Sequence, residues 1–200
     1  MKKYIVGILM LNLAGCAPMV GVSSAIVGTT IAQERTAGDK LDDELIILKI
    51  KEAYTQEEFN EMLGRISVNS FENRVLLTGS VRDKKFLDKA VELAWKVRGV
   101  KEVLNEIIVS QKEFKDHAQD ALIANTIRSK YLLEKDFDSL NYTVDVNEGA
   151  VYLLGVSQTA LESRKAIEIA RSVKGVIQVV NYVIPKDDPR RKGYMPVSRD

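Results

Sequence analysis

The sequence predicts an α+β protein that contains one small unit twice, each with the order α-β-β-α-β and a three-stranded mixed sheet covered by two helices. Three observations support this: an internal repeat, apolar residues that switch between helical and strand spacing, and glycines at matching places in both copies. Residues 75–79 (VLLTG) correspond to 151–155 (VYLLG), and 97–100 (VRGV) to 173–176 (VKGV) at the same separation. We therefore expect two tandem domains.

The first domain is expected at residues 41–110 and the second at 116–184, separated by a short polar piece. Each domain opens with apolar residues at three- and four-residue spacing, which predicts an amphipathic helix. These residues are Ile46, Ile50, Ala53 and Tyr54 in the first copy and Ile123, Ile127 and Tyr131 in the second.

A hairpin is predicted after this helix in each domain. Alternating apolar residues predict its first strand, and in the second copy they are Leu140, Tyr142, Val144 and Val146. Glu72-Asn73 and Glu148-Gly149 interrupt the pattern, and each pair ends in a residue that tolerates positive φ, as a two-residue hairpin turn requires. The second strand is expected to end at Gly79 or Gly155.

A second helix and a last strand complete each domain. The helix is predicted by two apolar stripes, Phe86, Ala90, Leu93, Ala94 and Val97 in one copy and Ala166, Ile169, Ala170 and Val173 in the other. Gly99 and Gly175 follow where a helix end favours a left-handed residue. The last strands are expected at 103–109 and 179–184, and a right-handed crossover makes each parallel to the strand before the helix.

The N-terminal segment is typical of an exported protein. Lys2 and Lys3 precede an apolar run at residues 4–11, which is too short to span a membrane, and small residues lead to Cys16. The segment 13–16 (LAGC) also resembles the bacterial lipobox. That resemblance implies a diacylglyceryl group on the Cys16 thiol, cleavage before it, and usually a further acyl chain such as palmitate on the new amine.

We therefore expect a signal peptide at 1–15 and a flexible lipidated tether at 16–40, with the first helix starting at Asp39 or Asp42. Two or three acyl chains anchor a protein stably, whereas one holds it only marginally. Ala17 stands where Asp would mark retention in the inner membrane. The expected location is the outer membrane, with the chain lipid-anchored and facing the periplasm.

Composition argues against several classes of function. The net charge is +1, so no large field of one sign favours nucleic acid. One cysteine and one histidine cannot supply an intramolecular disulfide or the ligand sets of zinc and iron–sulfur sites. The sequence has no glycine-rich phosphate loop or nucleophile elbow. We expect no cofactor, no metal and no catalysis, with His117 in a solvated linker and Glu57, Glu58 and Glu61 solvated.

These features resemble the BON-domain family, and specifically the dual-BON lipoproteins of Gram-negative envelopes. The resemblance rests on the glycines at 79, 99, 155 and 175, on Asn105 and Asn181 in the last strands, on the lipobox, and on the stretch from 33–35 to 42–43. The family implies periplasmic modules that bind phospholipid or associate with envelope machinery, without catalysis. It also implies that the first helix of the second domain contacts anionic phospholipid, which points to Leu122, Lys130 and Leu133.

The residues of that helix support an interfacial role in part. Leu122, Leu132 and Leu133 project away from the core side, with Arg128 and Lys130 nearby, as in a helix that lies on an anionic membrane. The alternative is that these leucines pack against the other domain. Leu45 and Leu48 of the first domain face outward in a comparable manner.

A second hypothesis is that the chain is an adaptor for outer-membrane assembly proteins. It would use Trp95, which is expected to be exposed on the second helix, and the sheet surface. The tail at 185–200 has no apolar periodicity and is predicted to be disordered. Its basic group, Arg190-Arg191-Lys192, is either solvated or in contact with a phosphate-bearing surface. The leading hypothesis remains anionic phospholipid binding in support of envelope integrity.

Overall fold

A computed structural model describes residues 35–56, 62, 64–111 and 117–191 of the chain. The predicted signal peptide, Cys16, most of the tether and the acidic cluster at 57, 58 and 61 lie outside the described residues. The first domain consists of α1 (Ala37–Gln56), β1 (Ile66–Phe71), β2 (Arg74–Val81), α2 (Lys84–Lys96) and β3 (Glu102–Val109). The second consists of α3 (His117–Leu133), β4 (Tyr142–Asn147), β5 (Ala150–Ser157), α4 (Ala160–Arg171) and β6 (Gln178–Pro185).

Each domain has one three-stranded sheet, in the order β1-β2-β3 or β4-β5-β6. The first two strands of each sheet pair antiparallel, and the last strand is parallel to the second. The predicted element order and mixed sheets are confirmed. His117, expected in a linker, is instead the first residue of α3.

Both hairpin turns adopt the backbone conformation that the sequence predicts, with positive φ at Glu72 (52°), Asn73 (66°), Glu148 (50°) and Gly149 (77°). An aspartate on the first helix of each domain holds the turn. Asp43 accepts hydrogen bonds from the backbone N–H groups of Glu72 and Asn73 at 3.0 and 2.9 Å. Asp120 does the same for Glu148 and Gly149 at 2.8 and 2.9 Å. This contact fixes the helix against the hairpin.

Some predicted boundaries were wrong. β2 and β5 continue two residues beyond Gly79 and Gly155, because these glycines permit a close approach of strands and do not end them. A Cβ atom there would lie 2.0 Å from the carbonyl oxygen of Arg65 or of Asn141. Leu140 lies in a 3₁₀ turn (Ser139–Asn141) that precedes β4, because the Asp138 side chain caps that turn.

The helix starts and ends also differ from the predictions. α1 begins at Ala37, within the segment predicted as tether, because Thr36 and Asp39 cap it reciprocally. Gly99 and Gly175 have the predicted positive φ, 102° and 97°. They lie in the turn that follows each helix, after α2 has ended at Lys96 and α4 at Arg171.

The two sheets pack against each other through the faces that their own helices leave uncovered. Alternate residues of β2 and β5 point to opposite sides. Val75 and Leu77 pack under α1 and α2, and Val151 and Leu153 pack under α3 and α4. The intervening residues form a third core between the domains together with one residue each of β1 and β6. This core consists of Leu76, Tyr152, Leu154 and Val156, with Phe71 of β1 and Ile184 of β6. The result is a four-layer arrangement of helices, sheet, sheet and helices.

Polar contacts surround this third core. The buried Arg74 side chain pairs with Glu102 at 2.6 Å and donates a hydrogen bond across the interface to the Tyr182 carbonyl at 2.9 Å. The Tyr182 hydroxyl donates to Glu106, and burial together with that carboxylate raises the pKa of Tyr182 to about 12. Moving a charged side chain out of water costs free energy, and these paired contacts offset that cost.

The tail is more ordered than predicted. Residues after β6 form a 3₁₀ turn (Pro189–Arg191), and the Arg191 guanidinium makes a two-pronged ion pair with Glu72, the shorter contact being 2.7 Å. Bidentate arginine–carboxylate pairs are among the strong ones, and this one fastens the tail to the hairpin of the first domain. Disorder is therefore the wrong description of 185–191, while Lys192 and later residues lie outside the described part.

The aspartate contacts generate a stability prediction. Replacing Asp120 by alanine removes two charge-assisted hydrogen bonds, so the free energy of unfolding in urea should fall by about 1–3 kcal/mol. Asp43→Ala should cost more, because Asp43 also accepts from Ser70 at 2.7 Å and pairs with Arg35 at 2.9 Å. The exposed neighbour Asp42→Ala is the control. A loss no greater than that of the control would contradict this role.

A pH prediction follows from Asp145 on β4, which accepts a hydrogen bond from Thr78 of the first domain. Burial raises the pKa of this carboxyl above 3.8, so the folded chain holds the proton more tightly than the unfolded chain. The ionised form therefore costs stability, and this cost grows as pH rises through the folded-state pKa. Relative to wild type, Asp145→Asn should gain stability between pH 4 and 7. The exposed Asp187→Asn is the control. A difference in unfolding free energy between Asp145→Asn and wild type that does not change with pH would refute the assignment.

Candidate functional site

α3 is the predicted lipid-contact helix, and its inner side is firmly attached to the second domain. Ile123, Ile127 and Tyr131 are buried in the core. Asp120 binds the hairpin near one end of the helix, and the Tyr131 hydroxyl donates to the Ala166 carbonyl of α4 at 2.9 Å near the other. Burial raises the pKa of Tyr131, which keeps that donor protonated. The opposite side of the helix is therefore presented in a fixed orientation.

The three leucines proposed for this helix are exposed. Leu122 retains 60% of its accessible surface, Leu132 retains 70% and Leu133 retains 87%. With this much surface exposed they are not sealed against the first domain, and the apolar core between the domains is made by the sheets. The alternative of leucines sealed between the domains is therefore wrong. Exposed aliphatic side chains of this size are the kind that gain most on transfer to an apolar phase.

The candidate residues form two groups on α3. Leu122 and Leu133 are eleven residues apart, about three turns, and share one side of the helix with Lys130 next to them. The Lys130 ammonium reaches Ser172 at 3.1 Å, so this side adjoins α4. Arg128 and Leu132 lie on another side, where the Arg128 guanidinium donates to the Val144 carbonyl at 2.5 Å. Arg128 is thus partly engaged by its own domain, whereas Lys130 lies beside the exposed leucines.

The first domain offers a useful contrast. Leu45 and Leu48 of α1 are exposed as predicted, with Leu48 at 61%. Their exposed neighbours on the outer side of the helix carry both signs of charge, Glu44 and Glu52 together with Lys49 and Lys51. The α3 leucines instead adjoin Lys130, and the helix's acidic residue, Asp120, is committed to the hairpin. The two helices thus expose similar apolar groups, with charges of both signs around them on α1 and basic charges around them on α3.

The rival adaptor hypothesis keeps one of its two features. Trp95 is 49% exposed on α2, as expected. The sheet surface is not accessible, because the side chains of Leu76 and Leu154 are fully buried in the core between the domains. The part of the hypothesis that used a free sheet face is therefore wrong.

A cleft of about 360 Å³ lies between the domains on the Arg128 side of α3. Arg65, Thr78, Arg128 and Asp145 are among the residues that line it, so its walls carry both signs of charge. Within the described part of the chain, no group of three or more His, Cys, Asp or Glu side chains is placed to hold a metal ion. None of the described helices has both the length and the apolar character needed to cross a membrane.

Sequence reasoning missed three large exposed hydrophobic residues of the second domain. Leu161 lies in the first turn of α4, Leu140 lies in the 3₁₀ turn, and Ile177 follows α4. Leu161 falls outside the buried stripe of Ala166, Ala170 and Val173, and this offset was the available signal. For Leu140 the sequence carried no signal of exposure, because the alternation of apolar residues predicted that it lies in a strand.

Comparison with known proteins agrees with the fold and the repeat. A family model described as the BON domain matches residues 42–111 and 119–184. The chain is 37% identical over 155 residues to an uncharacterized protein in the gshII 5′ region of Anaplasma centrale, with 76% of this chain and 100% of that protein covered.

Two further relatives have descriptive names. The chain is 31% identical over 169 residues to the outer membrane lipoprotein DolP of Haemophilus influenzae, covering 84% of this chain and 87% of that one. It is 30% identical over 147 residues to the osmotically-inducible protein Y of Escherichia coli, covering 72% and 73%. With both of its repeats matched by one family model, this chain belongs to the BON-domain family and contains two BON domains in tandem.

Proposed function

We propose that this chain is a non-catalytic outer-membrane lipoprotein that faces the periplasm and binds anionic phospholipid through α3 of its second BON domain, in support of envelope integrity. The observation that carries the proposal is the exposure of Leu122 and Leu133 beside Lys130 on a helix whose inner side is locked. The likeness to an outer membrane lipoprotein over most of both chains supports the location.

The anchor is proposed to be a lipid on Cys16. Leu13, Ala14 and Gly15 before this cysteine support it, as does the similarity to an outer membrane lipoprotein of Haemophilus influenzae. An anchored chain is confined near the bilayer, so a weak second contact is enough to hold the domains on the surface. The three exposed leucines and two basic residues of α3, which are divided between two sides of the helix, are proposed to supply such a contact.

Anionic lipid is favoured over neutral lipid by the charges around α3. Each basic group near an anionic membrane contributes about 1 kcal/mol, and burial of a leucine contributes about 1.5–3 kcal/mol. Leu132, Leu133 and Lys130 are proposed as lipid contacts together with Leu122. Arg128 is included for its charge, although its guanidinium also bonds to β4.

A second candidate function is an adaptor for outer-membrane assembly proteins, and the half-exposed Trp95 favours it. Tryptophan is enriched where proteins bind each other. Such a partner would contact α2 in the first domain and would be indifferent to changes in α3.

Vesicle flotation tests the proposal. The mature chain with Cys16→Ser should float with vesicles containing phosphatidylglycerol and much less with phosphatidylcholine alone. Leu122→Ser with Leu133→Ser should lower the partition coefficient on anionic vesicles by at least about tenfold. Lys130→Gln should lower it about fivefold, as expected for one charge near the surface.

Leu45→Ser with Leu48→Ser is the matched control, because these α1 residues are also exposed but have neighbours of both charges, without the basic surplus of α3. The control should float like the parent chain. If the parent chain floats with neither neutral nor anionic vesicles, the lipid proposal is ruled out and the adaptor hypothesis remains.

A further inference from the structure

The second domain exposes leucines outside α3 that the proposed function does not use. Leu161, in the first turn of α4, is 67% exposed, and Leu140 in the 3₁₀ turn is also exposed. A single exposed leucine needs no explanation, but several on one side of a domain do. Their relation to Leu122 and Leu133 can be read from the contacts between α3 and α4.

Two polar contacts show which sides of the helices meet. The Lys130 ammonium of α3 lies 3.1 Å from the Ser172 hydroxyl, and the Lys165 ammonium of α4 lies 2.5 Å from the Glu134 carboxylate. On α4, Leu161, Lys165 and Ser172 are spaced by four and seven residues, so they lie along one side of the helix. Leu161 is therefore on the edge of α4 that borders α3.

The exposed leucines of α3 lie on the corresponding edge. Leu122 and Leu133 occupy the side next to Lys130, which itself reaches α4. Leu133 immediately precedes Glu134, the residue that pairs with Lys165. Leu133 and Leu161 therefore flank the same ion pair on the outer surface of the two helices.

A buried network holds the 3₁₀ turn beside the start of α4. Asp138 caps the turn through the backbone N–H of Leu140, and the Asn141 amide donates to Asp138 at 2.9 Å. Glu162, next to Leu161, is buried close to Asp138. Burial raises the pKa of Glu162, and the Asp138 carboxylate acts in the same direction. Leu140 and Leu161 thus project from two segments that share one rigid support.

The exposed charges of α4 match those of α3. Arg164 and Arg171 are exposed against one exposed acidic residue, Glu168, whereas Lys165 is paired with Glu134. On α2 of the first domain the basic groups are instead neutralised locally, as in the pairs Lys84–Asp88 and Lys96–Glu92. The outer surface of α3 and α4 therefore combines leucines with a surplus of basic groups, which is the pattern of a surface for anionic lipid.

We propose that the membrane-contact surface of this protein is two helices wide: it runs from Leu122 and Leu133 of α3 onto Leu161 and Arg164 of α4, with Leu140 at its end, and its occupant is an anionic phospholipid bilayer. This inference rests on the proposed function and extends it. A contact of two helices has one consequence that a single helix does not have, since it fixes the domain's rotation about the long axis of α3.

Single-tryptophan probes test the extended surface. Trp95 is the chain's one tryptophan, so Trp95→Phe gives a silent background in the mature Cys16→Ser chain. Leu161→Trp, Leu122→Trp and Leu48→Trp are then made one at a time. Because all three positions are exposed, each variant should keep the parent's urea midpoint. Vesicles of phosphatidylglycerol with phosphatidylethanolamine are added, with and without brominated acyl chains.

The tryptophans at 161 and 122 should both shift to shorter wavelength and be quenched by brominated lipid, and the tryptophan at 48 should do neither. In parallel, Leu161→Ser with Arg164→Gln should lower the anionic-vesicle partition coefficient by about tenfold or more. A response at 122 without one at 161 would overturn the two-helix surface and leave the proposed function standing. Absence of both the fluorescence shift and the quenching at 161 and 122 would overturn the two-helix surface and the proposed function together.

Discussion

The burial of two sheet faces against each other is the constraint on which the rest of the structure depends. A three-stranded sheet with helices on one side leaves its other apolar face uncovered, and one BON domain cannot cover that face by itself. Here Leu76 and Phe71 of one sheet meet Leu154 and Tyr152 of the other, and these side chains are almost entirely removed from water. Buried apolar area contributes about 25 cal/mol per Å², so this third core couples the two domains.

The arrangement of the helices follows from that core. With the sheets in the middle, α1 and α2 cover one outer side and α3 and α4 cover the other. The leucines of α3 therefore keep most of their surface exposed in the described part of the protein. The interface also explains why the tail is ordered, because Arg191 reaches Glu72 only when the second domain lies against the hairpin of the first. A duplicated fold thus gives two outer faces with different chemistry.

Much of each domain was predictable because its signals are local or repeated. The positive φ at Asn73 and Gly149 follows from residue type. The order of helices and strands was predicted independently by each of the two copies. The close approach at Gly79 was not predictable, since it depends on the backbone of Arg65 across the sheet. The contacts of Arg74 with the Tyr182 carbonyl and of Arg191 with Glu72 were also beyond the sequence, because each joins residues that are more than a hundred positions apart. For the candidate site, the resemblance to the BON-domain family pointed to Leu122 and Leu133, and helical spacing predicted that they face outward. Leu161 became visible only when the contact between α3 and α4 was known.

Hydrogen exchange of the mature Cys16→Ser chain, with and without anionic vesicles, tests the central claim most directly. Without vesicles, amides of β2 and β5 should exchange most slowly, because both faces of these strands are buried. With vesicles, new protection should appear at the ends of α3 and at the start of α4, and α1 and α2 should be unchanged. New protection confined to the helices of the first domain, or fast exchange in β2 and β5, would contradict the account.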